Sequence, residues 1–340
     1  MIKIVTLSDI AKKSGVHMST VSKALNDSQD LNEETREAIK KIAKELNYVN
    51  IRKISKSNAN INLNIGVICP EIRSNYYAQL ISVIEKNLKQ NGYSLVIGFS
   101  SFQFDNEVHY LSHFANNGVC GIIFITENDT IDEALKNFNK KFNMPLVLIA
   151  TESETQEYDC IKIDDSLGVE LALEHIIEMG HRNIAYIGDM FTKNRLAVFM
   201  STLKKHNIKS NANLIKVSDK RFEECGYEKM KEMLKSGHVP AAVFAAYDDI
   251  AIGAIRAILE QGLRVPEDIS IAAIDNVDVA PYLSKNLTTV SYPINEVGNI
   301  ATEILVRKIS DKNYKVIKHI SLKPELIIRE STIKSINCPD

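Results

Sequence analysis

Residues Val5 to Asn26 read VTLSDIAKKSGVHMSTVSKALN, and their reading decides the fold. Leu7, Ile10 and Ala11 place apolar groups at i, i+3 and i+4, and Thr6 followed three residues later by Asp9 resembles a capping box, which predicts a first helix. Gly15 supplies the permissive backbone of a tight turn, and beyond it Val16, Val21, Ala24 and Leu25 form a second helical face. Between those apolar positions the second helix presents Met18, Ser19, Thr20, Ser22, Lys23 and Asn26, a hydrogen-bonding and cationic set with no acid. Such a face suits a DNA major groove flanked by phosphates. On helix spacing alone, a small helical packing unit remains the alternative.

The full stretch resembles the helix-turn-helix headpiece of the LacI/GalR family of bacterial repressors. That pattern runs VT-x-x-D-[IV]-A-x-x-[AS]-G-V-S-x-x-T-V-S-[RK]-x-[LI]-N, and here only the usual Ser is replaced, by His17. The resemblance implies that the second helix enters the major groove of a near-palindromic double-stranded operator, read by a homodimer. Met18, Ser19 and Lys23 are then the candidates for base edges, and Thr6, His17, Thr20, Ser22 and Asn26 for phosphates.

At 340 residues the chain is too long for one ordinary domain. With 45% hydrophobic and 25% charged residues and no apolar run of membrane-spanning length, it reads as a globular protein. The start, MIKIVTLSDIAKK, lacks the apolar core of a signal peptide, so a cytoplasmic location and no membrane partner are expected. Five cysteines are scattered singly without metal-ligand spacing and read as idle or buried thiols. Residues 1–57 carry a formal charge of +4 and the remainder −6, which puts the positive charge on the helix-turn-helix, where phosphate contact would use it.

Further along, Asn32 precedes EETREAIKKIAKELNY, a third helix capped by Asn32 with Ala38, Ile39, Ile42, Ala43 and Leu46 on one face. Residues 1–49 are thus a headpiece. Residues 50–64, NIRKISKSNANINLN, are polar and aperiodic and read as a linker. The family places a minor-groove hinge helix there with a Leu wedge between base steps. This chain has Ser57 at the wedge position, which cannot replace lost stacking, so a kinking hinge stays open.

From Ile65 short apolar runs alternate with amphipathic helices. IGVIC, YSLVIG, GIIFIT, PLVLIA, CIKI, NIAYIG, AAVFAA and ISIAAI read as strands of parallel sheets covered on both faces. The segments EHIIEMGHRNIAYIGD, AVFAAYDDIAIGAIRAILEQGLRVPEDISIAAIDN and LTTVSYPINEVGNIATEIL resemble the family's effector domain. The fold class expected is therefore an N-terminal all-α helix-turn-helix headpiece plus an α/β two-lobed, periplasmic-binding-protein-like (type I) effector domain with parallel sheets. On that resemblance residues 65–340 divide into lobe 1, about 65–163 and 294–324, and lobe 2, about 164–293 and 325–340.

No GxGxxG after a strand, no GxxxxGK[ST] and no GxSxG occurs, so the chain does not read as an enzyme and no cofactor or metal is expected. The acid pairs Asp164/Asp165 and Asp248/Asp249 read as helix-start carboxylates that complement the dipole. Ligands in open α/β lobes sit beyond the carboxyl ends of strands. Tyr76 and Tyr77, Asp164, Arg195, Tyr247 and Asp275 follow strands in this way and are the effector-binding candidates. In the family the counterparts of Arg195 and Asp275 commonly bind effector. An ion pair between lobes is the other role open to Arg195 and Asp275. Departures from the family include Tyr247 in place of a usual Asn, and Arg221 where an aromatic is usual, with Phe222 one place off.

The expected function is a repressor of a carbohydrate-utilisation operon, controlled by a small-molecule effector, a sugar or sugar derivative, bound between two lobes. The alternatives are a catabolite-control regulator with a phosphorylated carrier protein as corepressor, and a solute-binding protein without DNA function.

Overall fold

A computed structural model describes residues 7–25, 31–45, 63–150, 153, 155–311 and 313–335. The chain divides into two units, Met1–Leu63 and Asn64–Asp340. In the first, helices α1 (Leu7–Ser14), α2 (Met18–Leu25) and α3 (Glu33–Glu45) close around Ile10, Val21, Ala24, Leu25, Ile39 and Ala43. Gly15 turns between α1 and α2 at φ +68°, a conformation an L side chain resists. Asn32 caps α3, its Oδ1 accepting from the Thr35 N–H at 2.8 Å. One expectation for α3 fails: Ala38 is exposed, because the buried stripe runs through Ile39 and Ala43 and Ala38 falls on the far flank. Leu46 and the proposed hinge positions, Ser57 among them, lie outside the described residues.

The second unit holds two six-stranded sheets. The first contains β1 (Asn64–Cys69), β2 (Ser94–Phe99), β3 (Gly121–Thr126), β4 (Leu146–Ala150), β5 (Asp159–Ile163) and β11 (His319–Leu322), in the order β11-β5-β4-β3-β1-β2, all parallel. The second contains β6 (Ile184–Asp189), β7 (Ile215–Ser218), β8 (Ala242–Ala245), β9 (Ser270–Ile274), β10 (Thr288–Ser291) and β12 (Glu325–Ile327), in the order β12-β10-β9-β8-β6-β7. Among the described residues only β12, on β10, is antiparallel.

The near-continuous apolar runs follow from burial on both faces. In β3 and β4, Ile122, Phe124, Leu146 and Leu148 meet Leu111 and Phe114 of α5 (Phe104–Asn116) and Leu135 and Phe138 of α6 (Ile131–Phe142). The alternate residues, Ile123, Ile125, Val147 and Ile149, face Leu80 and Ile84 of α4 (Asn75–Gln90) and Val297 and Ala301 of α11 (Ile294–Ser310). Helices α7 (Asp165–Glu178), α8 (Lys193–Lys205), α9 (Phe222–Lys235) and α10 (Asp248–Glu260) cover the second sheet. The chain passes between sheets after β5, after β10 and after β11, so the lobes share three crossings at strand ends. Among the described residues no helix is long and apolar enough to cross a membrane. Burial pushes the thiols of Cys69 and Cys225 up to about 12 and that of Cys160 to about 11, which makes them inert packing groups.

Candidate functional site

Two surfaces carry chemistry. On the headpiece, α2 opens with His17 in the cap position. Its Nδ1 accepts from the Ser19 N–H at 3.4 Å and pairs with Ser19 Oγ at 2.9 Å. An imidazole thus does what the usual Ser hydroxyl would do at a helix N-terminus, and the opposite ring nitrogen, Nε2, is left to carry a proton outward. Met18 is 51% exposed, Ser19 and Lys23 are exposed, and Thr20 is half-buried. No acid lies in the first turn of α2. Thr6 and Asn26 lie outside the described residues, as does the side chain of Ser22.

The second surface is a cleft of about 550 Å3 between the two lobes, lined from the carboxyl ends of strands in both sheets. Tyr76, Tyr77, Asp164, Arg195, Tyr247 and Asp275 all line it. Their polar atoms are used very differently. Asp164 accepts from the Leu167 N–H at 2.9 Å and caps α7. Arg195 donates to Asp165 Oδ1 at 3.0 Å from Nε and 2.9 Å from Nη2, to the Ala246 carbonyl and to the Tyr292 hydroxyl at 3.1 Å. The Tyr292 hydroxyl in turn donates to Asp165. Arg195 is therefore paired within lobe 2, and its partner is Asp165 on α7, so the pair does not bridge the lobes. Tyr247 Oη donates to Asp189 Oδ2 at 2.7 Å and accepts from the Phe222 N–H at 3.0 Å. Tyr77 donates to Glu127 at 2.9 Å, while Tyr76 stands edge-on to Tyr77 and Tyr292 with centroids 5.1 and 6.0 Å away.

Asp275 is the exception. Its side chain makes no hydrogen bond or ion pair with any described residue, and its backbone sits at φ +115°, followed by Asn276 at φ +51°. The Asp275 N–H is tied to the Val290 carbonyl at 2.9 Å, and Asn276 is held by Ser291 and Arg329. Ser101, Phe102 and Phe222 also have positive φ, at 54°, 59° and 59°. Strained backbone of this kind persists where surrounding structure over-determines it; of the seven non-glycine residues with positive φ among those described, these five line the cleft or adjoin a lining residue, and Asn143 and Asn207 lie at helix ends elsewhere.

Several lining groups escaped the sequence reading: Tyr292, Glu127, Phe102, Phe191 and Asp165. The strand-end rule that found Asp275 would have found the first four, since each follows β10, β3, β2 or β6. Phe102 of lobe 1 stacks on Phe191 of lobe 2 at 4.3 Å, and Arg221 lies over both rings at 5.2 and 4.8 Å. Arg221 also pairs with Glu71 of lobe 1 at 2.7 Å and with Asp189 at 3.3 Å, while Asn75 of lobe 1 donates to Asp249 of lobe 2 at 3.2 Å. These contacts hold the lobes together across the cleft. Asp248, read from sequence as a dipole-complementing carboxylate, instead accepts from the Val277 N–H at 2.9 Å and the Thr289 hydroxyl at 2.6 Å, tying the segments after β9 and in β10 to α10.

Burial pushes the Asp275 carboxyl up to about 7, against the pull of Arg195 and with help from Asp249, Asp165 and Glu127. Burial likewise lifts Asp249 to about 6. A carboxyl whose folded pKa exceeds its unfolded value of about 4 stabilises the fold below that pH and loses this contribution as pH rises through the folded value. His175 and His181, which hold Thr332 and the Ile333 carbonyl at 2.9 Å, are lowered by burial and act in the opposite sense, losing stability as pH falls. The Asp275 contribution is therefore read as a difference. The melting temperature of Asp275→Asn minus that of wild type is expected to grow from pH 5 to pH 8, by the linkage above. A constant difference across thermal melts at those pH values would remove the assignment.

Comparison with known proteins bears on both surfaces. The description "Bacterial regulatory proteins, lacI family" matches residues 6–50, and "Periplasmic binding protein-like domain" matches residues 173–332. The HTH-type transcriptional repressor PurR of Klebsiella pneumoniae is 33% identical over 332 residues, covering 96% of each chain. The lac repressor dimer bound to operator and the anti-inducer ONPF superposes with a TM-score of 0.72 and 26% identity, over 97% of this chain and 100% of that one. A LacI family regulator from Enterococcus faecium with bound ribose gives a TM-score of 0.68 and 26% identity, over 80% of this chain and 99% of that one. A helix-turn-helix headpiece, a two-lobed cleft domain and relatives matched along nearly the whole chain lead to one conclusion: this chain is a DNA-binding transcriptional repressor and belongs to the lacI family of bacterial regulatory proteins.

Proposed function

We propose that this repressor acts as a homodimer on a near-palindromic operator of a carbohydrate-utilisation operon, and that a sugar or sugar derivative in the interlobe cleft sets its operator affinity. The observation that carries the reading is Asp275, a strained and unpartnered carboxylate aimed into a cleft walled by aromatic rings. A carboxylate accepts directionally from hydroxyls, and tyrosine and phenylalanine rings cover the apolar faces of a sugar. The ribose bound to the Enterococcus faecium regulator supports the same reading. Tyr76 offers a second polar atom. Arg195, Tyr247 and Asp164 act mainly by shaping the wall, since their polar atoms are spent on the protein.

On the DNA side, Met18, Ser19 and Lys23 face base edges, while His17 through Nε2, Thr20, Thr6, Ser22 and Asn26 hold phosphates. Ligand in the cleft changes the balance of the interlobe contacts made by Arg221, Phe102 and Asn75, and that balance is coupled to headpiece spacing in the dimer. The coupling is a free energy and acts in both directions, so operator DNA must change ligand affinity by the same factor.

The division of labour is testable by operator anisotropy titrations. Lys23→Ala is expected to lose roughly 1–3 kcal/mol of operator affinity, about 5- to 150-fold, while its melting temperature still rises with ligand. Asp275→Asn is expected to bind operator as wild type does and to ignore ligand. Loss of operator binding in Asp275→Asn with the fold retained would count against the scheme.

A further inference from the structure

The two sides of the cleft are held by different means. The chain crosses between lobes after β5, β10 and β11, and these strands lie toward one edge of each sheet. At the opposite edge lie β1 and β2 in lobe 1, and β6 and β7 in lobe 2. Strands are spaced about 4.8 Å apart, so groups that follow β1, β2, β6 and β7 act roughly 14–19 Å from the crossings at β5 and β10. Covalent crossings fix the lobes on one side. A contact on the other side has to break before they part about those crossings.

Arg221, in the segment after β7, makes such a contact. It is anchored in lobe 2 by Asp189 at 3.3 Å and reaches into lobe 1, where Nη1 pairs with Glu71, after β1, at 2.7 Å. Its guanidinium also lies over Phe102 of lobe 1 and Phe191 of lobe 2, which stack on each other. Arg73 of lobe 1 repeats the arrangement over Phe222 of lobe 2 at 4.5 Å. Glu71 Oε1 is buried and has no hydrogen-bond partner among the described residues, so its charge depends on Arg221 for compensation. Taking Arg221 away leaves a buried carboxylate that regains water most directly by letting the lobes part. The aromatic usual in the family at this position could stack but could not pair with a carboxylate, whereas a guanidinium does both. All of these are protein groups, so their attraction acts whether or not a ligand is bound.

We propose that Arg221 is a clasp: it holds the two lobes closed from the side opposite their crossings and so sets the starting point of the equilibrium on which a cleft ligand acts. Closure itself is independent of the effector reading above, and only its consequence rests on that reading. A ligand shifts the lobes by no more than its differential affinity for the clasped and released arrangements.

The test is amide hydrogen exchange of the full-length protein without ligand, read by mass spectrometry in the two loops that the clasp joins, 100–104 in lobe 1 and 189–192 in lobe 2. Arg221→Met keeps much of the side chain's length and removes its charge, and it is expected to speed exchange about 10-fold in both loops while the amides of β3 and β8 stay as protected as before. Glu71→Gln, which alters lobe 1 alone, is expected to speed exchange several-fold in the lobe 2 loop as well. The two changes together should fall short of the product of their separate effects, since both remove one contact. Raising the salt to about 1 M should speed exchange in wild type and not in the double variant. Faster exchange confined to 189–192 in Arg221→Met would make Arg221 a support of its own lobe and overturn the proposal, as would Glu71→Gln with the lobe 2 loop unchanged. Because no ligand is used, failure here leaves the effector reading standing, and a protein that passes yet binds no sugar loses that reading and keeps its clasp.

Discussion

Replacing Asp275 with glycine is expected to raise the melting temperature of the ligand-free protein while abolishing its response to ligand. Stability and function are opposed at this position for three physical reasons. The backbone stands at φ +115°, where a side chain is strained and glycine is not, a difference of about 1–3 kcal/mol. The carboxyl is buried enough for its pKa to rise to about 7, so its ionised form is costly at neutral pH. Its side chain makes no hydrogen bond or ion pair with a described residue, so removing it forfeits only the longer-range attraction to Arg195. The opposing effect, the greater freedom of a glycine in the unfolded chain, is worth only about 0.5–1 kcal/mol. The net gain is about 1–2 kcal/mol, or a few degrees for a unit of this size. Thermal melts of the variant alone, and with a ligand that stabilises wild type, check both halves. A lower melting temperature would mean that Asp275 is a structural residue and would remove the strain argument for the site.

The second large effect lies where α9 and α10 touch. Gly226 of α9 and Gly253 of α10 let the two backbones approach so closely that a Cβ on Gly253 would fall 1.9 Å from the Glu223 carbonyl oxygen, and one on Gly226 would fall 1.9 Å from the Ile250 oxygen. The obstacle is backbone, which has no rotamer to adjust, so the helices must part. Gly253→Ala is expected to destabilise the protein by about 3 kcal/mol or more, although alanine is the better helix former by about 1 kcal/mol. The consequence reaches the cleft, because α9 begins at Phe222 and α10 at Asp248 and Asp249, both beside the ligand space. Chemical denaturation measures the loss. A variant as stable as wild type would show that the helices are free to separate at little cost, and that their close contact does not position Phe222.

These two sites also show what the sequence reveals and what it conceals. The helix pair around Gly15 is legible because periodicity, turn residue and cap agree over one short stretch. Seven of the eight apolar runs from Ile65 to Ile274 are legible because strands buried on both faces carry no alternation to confuse them, and the eighth, β2 at a sheet edge with Val96 and Phe99 exposed, is legible by its apolar run alone. β7, β10, β11 and β12 escape notice: β7, β11 and β12 are short, lie at sheet edges and are half polar, and β10, although buried between β9 and β12, is four residues of which only Val290 is apolar, so neither a run nor an alternation identifies them. At the cleft, the strand-end rule brings Tyr76, Tyr77, Asp164, Arg195, Tyr247 and Asp275 together, because topology alone dictates where strands end. It does not tell which of them still has a polar atom to offer. That depends on partners far away in sequence, such as Tyr292 for Arg195 and Asp189 for Tyr247. Asp165, adjacent to a residue the reading chose, turns out to be the group that neutralises the cleft's most buried arginine.

The central claim is that headpiece and cleft form one switch on DNA. The measurement closest to it is footprinting of the full-length protein on the DNA upstream of its own gene, across a salt series, with and without a compound that raises its melting temperature. The account predicts protection of a near-palindromic site whose half-sites are a whole number of helical turns apart. Affinity should fall steeply with salt, as counterion release requires, and shift when the compound is added. Equal affinity for unrelated sequences, or a footprint unchanged by a compound that demonstrably binds the cleft, would contradict it.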